Sequence, residues 1–344
     1  MAEAPAEAGA VEGSVAGTPP PVRARRWPAV AAAAAVALIA GGSAVLAGGH
    51  RGPAPGGSAP TQQPGAPRAS QNPAALVVHD DDVVEATGQV IAAPGKPVVY
   101  CPDLPQPAIG YPPGQEPAPS CPPGYAVTVV GVRLDQLTGV TTVRGVRVGE
   151  ATLRGTWHDR VITVARQSAP TQYPVPQGLP EHPPCPPPAG GWRPGPVEAQ
   201  AAQEYVQAHP DRFGQVWIGW PDGPPTGSTA APGYQDKTQV LVVGVATGEL
   251  AAAQRDLAAV YPGNLCVQRT EYSAAQAERV RGAASRLMDD QRNGIISVGL
   301  GSNALLPVEV ELTVLDERVY RALAGINPRL LDLQPAIRPV AAPR

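Results

Sequence analysis

One stretch constrains this chain more than any other: an uncharged run, 27–49, entered from Arg23, Arg25 and Arg26. It reads Trp27-Pro28-Ala29-Val30, then alanines from Ala31 to Ala35, then Val36, Leu38, Ile39, Val45 and Leu46 among small residues. A helix crossing a hydrocarbon layer roughly 30 Å thick needs about 20 predominantly apolar residues, and this run has that length. A helix also satisfies its own backbone polar groups, which lipid demands. Arginines on the N-terminal flank hold that side in the cytoplasm, and Trp27 suits the interface. The expectation is a single-pass signal-anchor in the plasma membrane bilayer, N-terminus cytoplasmic, with the bulk of the chain extracytoplasmic.

Other readings of the run are weaker. A buried soluble helix would have only Pro/Gly-rich flanks to pack against. Cleavage near Val45-Leu46-Ala47, as in a signal peptide, is the serious alternative. Leu46-Ala47-Gly48 opens like a lipobox, but Gly49 stands where acylation requires cysteine. Arg25-Arg26 resembles a twin-arginine signal in poorly matching surroundings.

All the cysteines (Cys101, Cys121, Cys185 and Cys266) follow the run. An even number in an exported region favours disulfides, with more than one connectivity open. Proximity pairs Cys101 with Cys121 and Cys185 with Cys266. His182 precedes Cys185 by a ligand-like spacing, but this isolated pair in a proline-rich tract does not make a zinc site. No metal or cofactor is expected. The net charge of −3 gives no general attraction to nucleic acid. Only Lys96 and Lys237 are lysines, the other basic residues being arginine, which reads as GC-rich codon usage.

The chain divides by composition. Residues 1–26 form a tail without apolar periodicity, read as disordered and cytoplasmic. After the anchor, 50–76 is a Pro/Gly-rich spacer. From 77 to 166, short β-branched segments (84–91, 97–101, 125–132, 140–148, 150–156 and 161–164) alternate with turn signals, including a hairpin tip at Trp157-His158-Asp159-Arg160. They predict a small all-β, barrel-like domain. Residues 167–196 are proline-dense and read as an extended linker.

The last unit, 197–340, interleaves helices and strands. Helices are predicted before Pro210, over 248–261, after a Ser273/Gln276 capping box, and after Asp316. Strands are predicted over 216–220, 239–246, 264–270, 295–300, 308–314 and 330–337. In 308–314, Val308, Val310, Leu312 and Val314 alternate with Glu309, Glu311 and Thr313, so one face points inward. The pattern predicts an α+β open sandwich of ferredoxin-like type.

Two regions carry a resemblance. Tyr111-Pro112-Pro113, Cys121-Pro122, Gly155-Thr156-Trp157 and Ile162-Thr163-Val164 resemble a small cysteine-bridged β-domain of exported and anchored proteins from GC-rich Gram-positive bacteria. The stretch His209-Pro210-Asp211-Arg212-Phe213-Gly214, with Trp217-Ile218 and Tyr261-Pro262-Gly263-Asn264-Leu265-Cys266-Val267, is similar to a companion α+β domain in that two-domain family. The resemblance implies this architecture and location, and no activity.

The search for chemistry returns mostly bland readings. His79-Asp80-Asp81-Asp82 lacks a calcium-loop pattern and reads as a solvated acidic edge. His158-Asp159 reads as a surface turn, since a general base needs a nucleophile within reach. Ser273 reads as a cap, and Glu309 and Glu311 as a wet sheet face. Trp217 and Trp220, on opposite faces of a strand, give one core residue and one candidate apolar patch. The glycine-rich 299–303 precedes a strand and fails the test for a phosphate loop.

The functional expectation is an anchored extracytoplasmic interaction or scaffold protein without catalytic activity, with an envelope protein as its candidate partner. The alternative is an exported hydrolase or accessory factor in cell-wall metabolism, built on His158, Asp80 or Asp81 and a hydroxyl. A third option is a chaperone-like prosegment acting in trans.

Overall fold

The computed structural model describes residues 72–105, 111, 115–171, 179–224, 237–301 and 306–340. Among these residues no helix is long and apolar enough to cross a membrane. The predicted anchor, 27–49, lies outside them, as do the tail and nearly all of the 50–76 spacer. The fold is mostly β-sheet with few helices.

Strands β1 (Val83–Ala92), β2 (Val99–Cys101), β3 (Val127–Val130), β4 (Thr138–Val143), β5 (Val146–His158) and β6 (Val161–Ser168) come first. The pairings β1–β2, β2–β3, β3–β6, β6–β5 and β5–β1 close a ring, parallel only between β3 and β6. This is the connectivity of the five-stranded OB-type barrel. Its interior is filled by Val84, Val90, Tyr100, Val127, Leu153, Trp157 and Ile162. Small residues let the ring close: a Cβ on Gly155 would collide with the Thr163 carbonyl, and one on Gly88 would lie 3.0 Å from the Tyr100 ring.

The remaining chain repeats one order of elements. Helix α1 (Gln200–Ala208), strands β7 (Phe213–Gly219) and β8 (Val240–Val245), helix α2 (Leu250–Val260) and strand β9 (Leu265–Arg269) form the first set. Helix α3 (Ala274–Ser285), strands β10 (Ile295–Leu300) and β11 (Val308–Val314), helix α4 (Glu317–Ala324) and strand β12 (Leu331–Pro339) form the second. In each set an antiparallel hairpin is followed by a helix and an adjacent parallel strand. Ala202, Val206, Ala253 and Leu257 bury the first helix pair on its sheet. Val280, Ala284, Val319 and Leu323 do the same for the second.

This arrangement corrects the ferredoxin-like expectation. That fold inserts a strand between the parallel strands of its βαβ units, whereas β8/β9 and β11/β12 are direct neighbours. The strand pairing also crosses the expected division between a β-domain and a separate α+β domain. β12 pairs with β1 beside β2, extending the barrel strands into a nine-stranded sheet. Val314 and Ile337 belong to the barrel core, and Val78 N–H donates to the Leu315 carbonyl at 2.8 Å. Apolar surface from the chain's end thus completes the core begun by its first strand.

Candidate functional site

The first set presents its second sheet face to the proline-dense segment, which is no free linker. Prolines lack the N–H that a strand donates, so Pro183, Pro184 and Pro186–Pro188 cannot join the sheet as a strand. Instead the segment lies as a strap fixed at several points. Trp220 N–H donates to the Glu181 carbonyl at 2.6 Å, and a His182 ring nitrogen lies 3.0 Å from the Trp220 carbonyl. Gly219 permits this approach, since a Cβ there would lie 3.0 Å from the Pro183 nitrogen. Cys185 is bonded to Cys266 in β9. At the far end Gln239 N–H donates to the Gly195 carbonyl, and Val197 N–H to Gln239 Oε1. Beneath the strap Trp217, Val240, Val242 and Cys266 pack with Leu179, Cys185 and Trp192.

A cleft of about 530 Å³ follows the β9 edge between this strap and α2. One wall carries Gln254, Ala258 and Tyr261, the other Pro186, Pro188, Gly191, Trp192 and Arg193, and Leu265 and Val267 form the floor. Leu241 N–H donates to the Asn264 carbonyl at 2.8 Å and Thr270 N–H to the Val245 carbonyl at 3.2 Å. The even-numbered backbone groups of this strand therefore face β8. By the alternation of a strand, the N–H and C=O groups of Leu265, Val267 and Arg269 face the other way, along the cleft. Cys185 Sγ lies 3.7 Å from the Val267 carbonyl oxygen, but a disulfide sulfur has no proton to donate. The edge is held close to the strap without being paired by it.

Among the described residues no carboxylate lines the cleft, while Arg193 lines it and Arg269 is exposed at the end of β9. Burial, and then the charge of Glu198, raise the Tyr261 phenol, which keeps its proton. A second cleft, about 540 Å³, lies between α3 and the turn after α4. Its floor includes the core residues Val280 and Leu330, and it presents no open strand.

The residues singled out from sequence fall elsewhere. His158 Nδ1 stands 3.8 Å from Asp80 and 3.9 Å from Asp81, with side chains 70%, 57% and 87% exposed. They line neither cleft, and among the described residues no side-chain hydroxyl is hydrogen-bonded to them. Asp82 instead accepts from His79 N–H at 2.8 Å, a local turn. Ser273 accepts from Gln276 N–H while Gln276 Oε1 accepts from Ser273 N–H, completing the capping box. Beside it, burial pushes the Tyr272 phenol up to about 12, and its hydroxyl donates to Gln215 Oε1.

Two expectations need correction. Trp217 and Trp220 are both buried, so neither makes an apolar patch: the strap covers one and holds the backbone of the other. Glu309 and Glu311 share a half-buried face that is not simply wet. Burial raises the Glu309 carboxyl, with further contributions from Glu311 and Asp332, and Ser297 donates to Glu311 at 2.7 Å. Cys101 and Cys121 form the second disulfide, beside the β1–β2 edge.

No family model matches the chain, and no curated protein matches it. Sequence reasoning missed the cleft because it depends on the strap folding back over β9. The visible signal was the run from Tyr261 to Val267, which supplies its wall and floor.

Proposed function

We propose that this chain is an extracytoplasmic interaction protein, tethered to the plasma membrane through the apolar run 27–49, that engages an envelope protein through the β9-edge cleft. The disulfides Cys101–Cys121 and Cys185–Cys266 fit an oxidising, extracytoplasmic location. The Arg-flanked run supplies the tether, and the resemblance to anchored proteins of GC-rich Gram-positive bacteria agrees with that topology. The observation that carries the reading is the edge of β9, unpaired among the described residues, on the floor of a cleft walled by a disulfide-fixed strap. Concave sites with a few placed polar groups are where ligands bind.

The hydrolase alternative draws no support from His158, whose carboxylate neighbours are solvent-exposed. The test is site-specific photo-crosslinking of the full chain in its native membrane. A photoreactive residue at Gln254, in the cleft, is expected to capture a discrete envelope protein. The same group at Val140, exposed on β4, serves as the control. Capture from both positions alike, or from neither, would count against the reading.

A further inference from the structure

We infer that the β9 edge takes an extended acidic polypeptide segment as an added strand, a partner chemistry that rests on the interaction reading above. The argument starts from the backbone. Leu265, Val267 and Arg269 each turn one N–H and one C=O away from β8, at the two-residue spacing of an incoming strand. None of these groups has a backbone partner on that side among the described residues. An open edge ordinarily invites indiscriminate pairing, and proteins cover or blunt it. Here the strap comes alongside, yet Pro186, Pro187 and Pro188 have no N–H with which to close the ladder. The result is an edge screened from broad sheets and reachable by a single chain in the cleft, the geometry of strand addition.

Charge selects the partner. Arg193, near the start of β9, has only a 3.5 Å contact from its guanidinium to the Pro262 carbonyl. Arg269, at the other end, has no carboxylate partner among the described residues. A segment with carboxylates at alternate positions meets both guanidiniums, whereas a basic one meets two like charges. Trp192, half-buried in the cleft wall, offers flat apolar area to the intervening side chains. A glycan would use the aromatic wall but not the periodic backbone donors, and so is the less favoured occupant.

The test uses the full chain in detergent micelles and two blocked, fluorescein-labelled octapeptides, (Glu-Val)₄ and (Lys-Val)₄. The acidic peptide is expected to bind at least tenfold more tightly. Its binding should slow amide exchange at Leu265, Val267 and Arg269, and should be lost when alternate peptide nitrogens are methylated in one register. Arg193→Glu with Arg269→Glu is expected to reverse the charge preference while leaving the circular dichroism spectrum unchanged. Equal binding of both peptides, indifference to N-methylation, or protection elsewhere would overturn the proposal. Preferential binding of a chitin oligosaccharide in the cleft, or self-association of the chain through β9, would also overturn it. If the charge-reversed variant still crosslinks its envelope protein from Gln254, the interaction reading survives and only the partner chemistry falls.

Discussion

Asn264 and Arg193 exchange two hydrogen bonds across the strap: Arg193 N–H donates to Asn264 Oδ1 at 3.0 Å, and Asn264 Nδ2 donates to the Arg193 carbonyl at 2.7 Å. The side-chain amide thus imitates the backbone partner that the strap cannot find in the sheet. The same Nδ2 also donates to the Gln239 carbonyl at 2.8 Å, tying the strap to the entry of β8. Asn264→Ala removes all of these and leaves a half-buried carbonyl unpaired. The expected cost is about 2 kcal/mol, read as a lower midpoint in urea denaturation. Asn264→Asp, which sets a carboxylate oxygen against the Arg193 and Gln239 carbonyls, should cost at least as much.

Cys185–Cys266 joins residues 81 apart in sequence. Loop-closure entropy alone gives roughly 4 kcal/mol for a link of that span. Cys185→Ser with Cys266→Ser is expected to lower stability by an amount of that order and to free the strap from the sheet. Trp192 would then move toward water, shifting tryptophan emission to longer wavelength. An unchanged spectrum and unchanged stability would mean that the hydrogen bonds alone hold the strap.

Gly155 lies inside the barrel where β5 crosses β6, at a register shift between Arg154 and Gly155. Because a Cβ would collide with a backbone carbonyl, no side-chain rotation relieves it. Gly155→Ala is expected to cost about 3 kcal/mol, checked by denaturant titration. Gly299→Ala, with open space around its Cβ position, is the control and should leave packing undisturbed.

Glu309 gives a pH dependence of unusual sign for a carboxylate. Burial first, then the charges of Glu311 and Asp332, hold its carboxyl above the ordinary range. The folded state therefore binds this proton more tightly than the unfolded chain does. Its contribution favours folding at low pH and is lost as pH rises from the ordinary carboxylate value through the raised one. Glu309→Gln should flatten the thermal midpoint across that window and raise it at neutral pH. A variant whose midpoint falls in parallel with the parent at every pH would refute this.

Several elements were legible from sequence because their causes are local. The capping box at Ser273 and Gln276, the Asp316 cap and the alternation over 308–314 each lie within a few residues of what they organise. The β4–β5 hairpin was less legible. Residues 140–148 read as one strand, but Arg144 and Gly145 both take positive φ and turn the chain inside a β-branched run. Gly149 looked like a break between segments. It is instead an interior position of β5, where a Cβ would press to 2.7 Å from Leu137. The candidate site was the least legible: its strap was read as a spacer because composition reports what prolines cannot do locally, not what they cover.

The sequence by itself determined the helix starts at Ser273 and Asp316 and the inward face of 308–314, and placed every cysteine beyond the Arg-flanked run. Those properties depend on neighbours along the chain or on composition. The tertiary structure decided that β12 joins the first sheet, that the proline segment is a strap, and that β9 pairs on one side only among the described residues. Each of these is a contact between residues tens to hundreds of positions apart. No local pattern encodes such pairings, because they are selected by the shared burial of surfaces that exist only once the chain has folded.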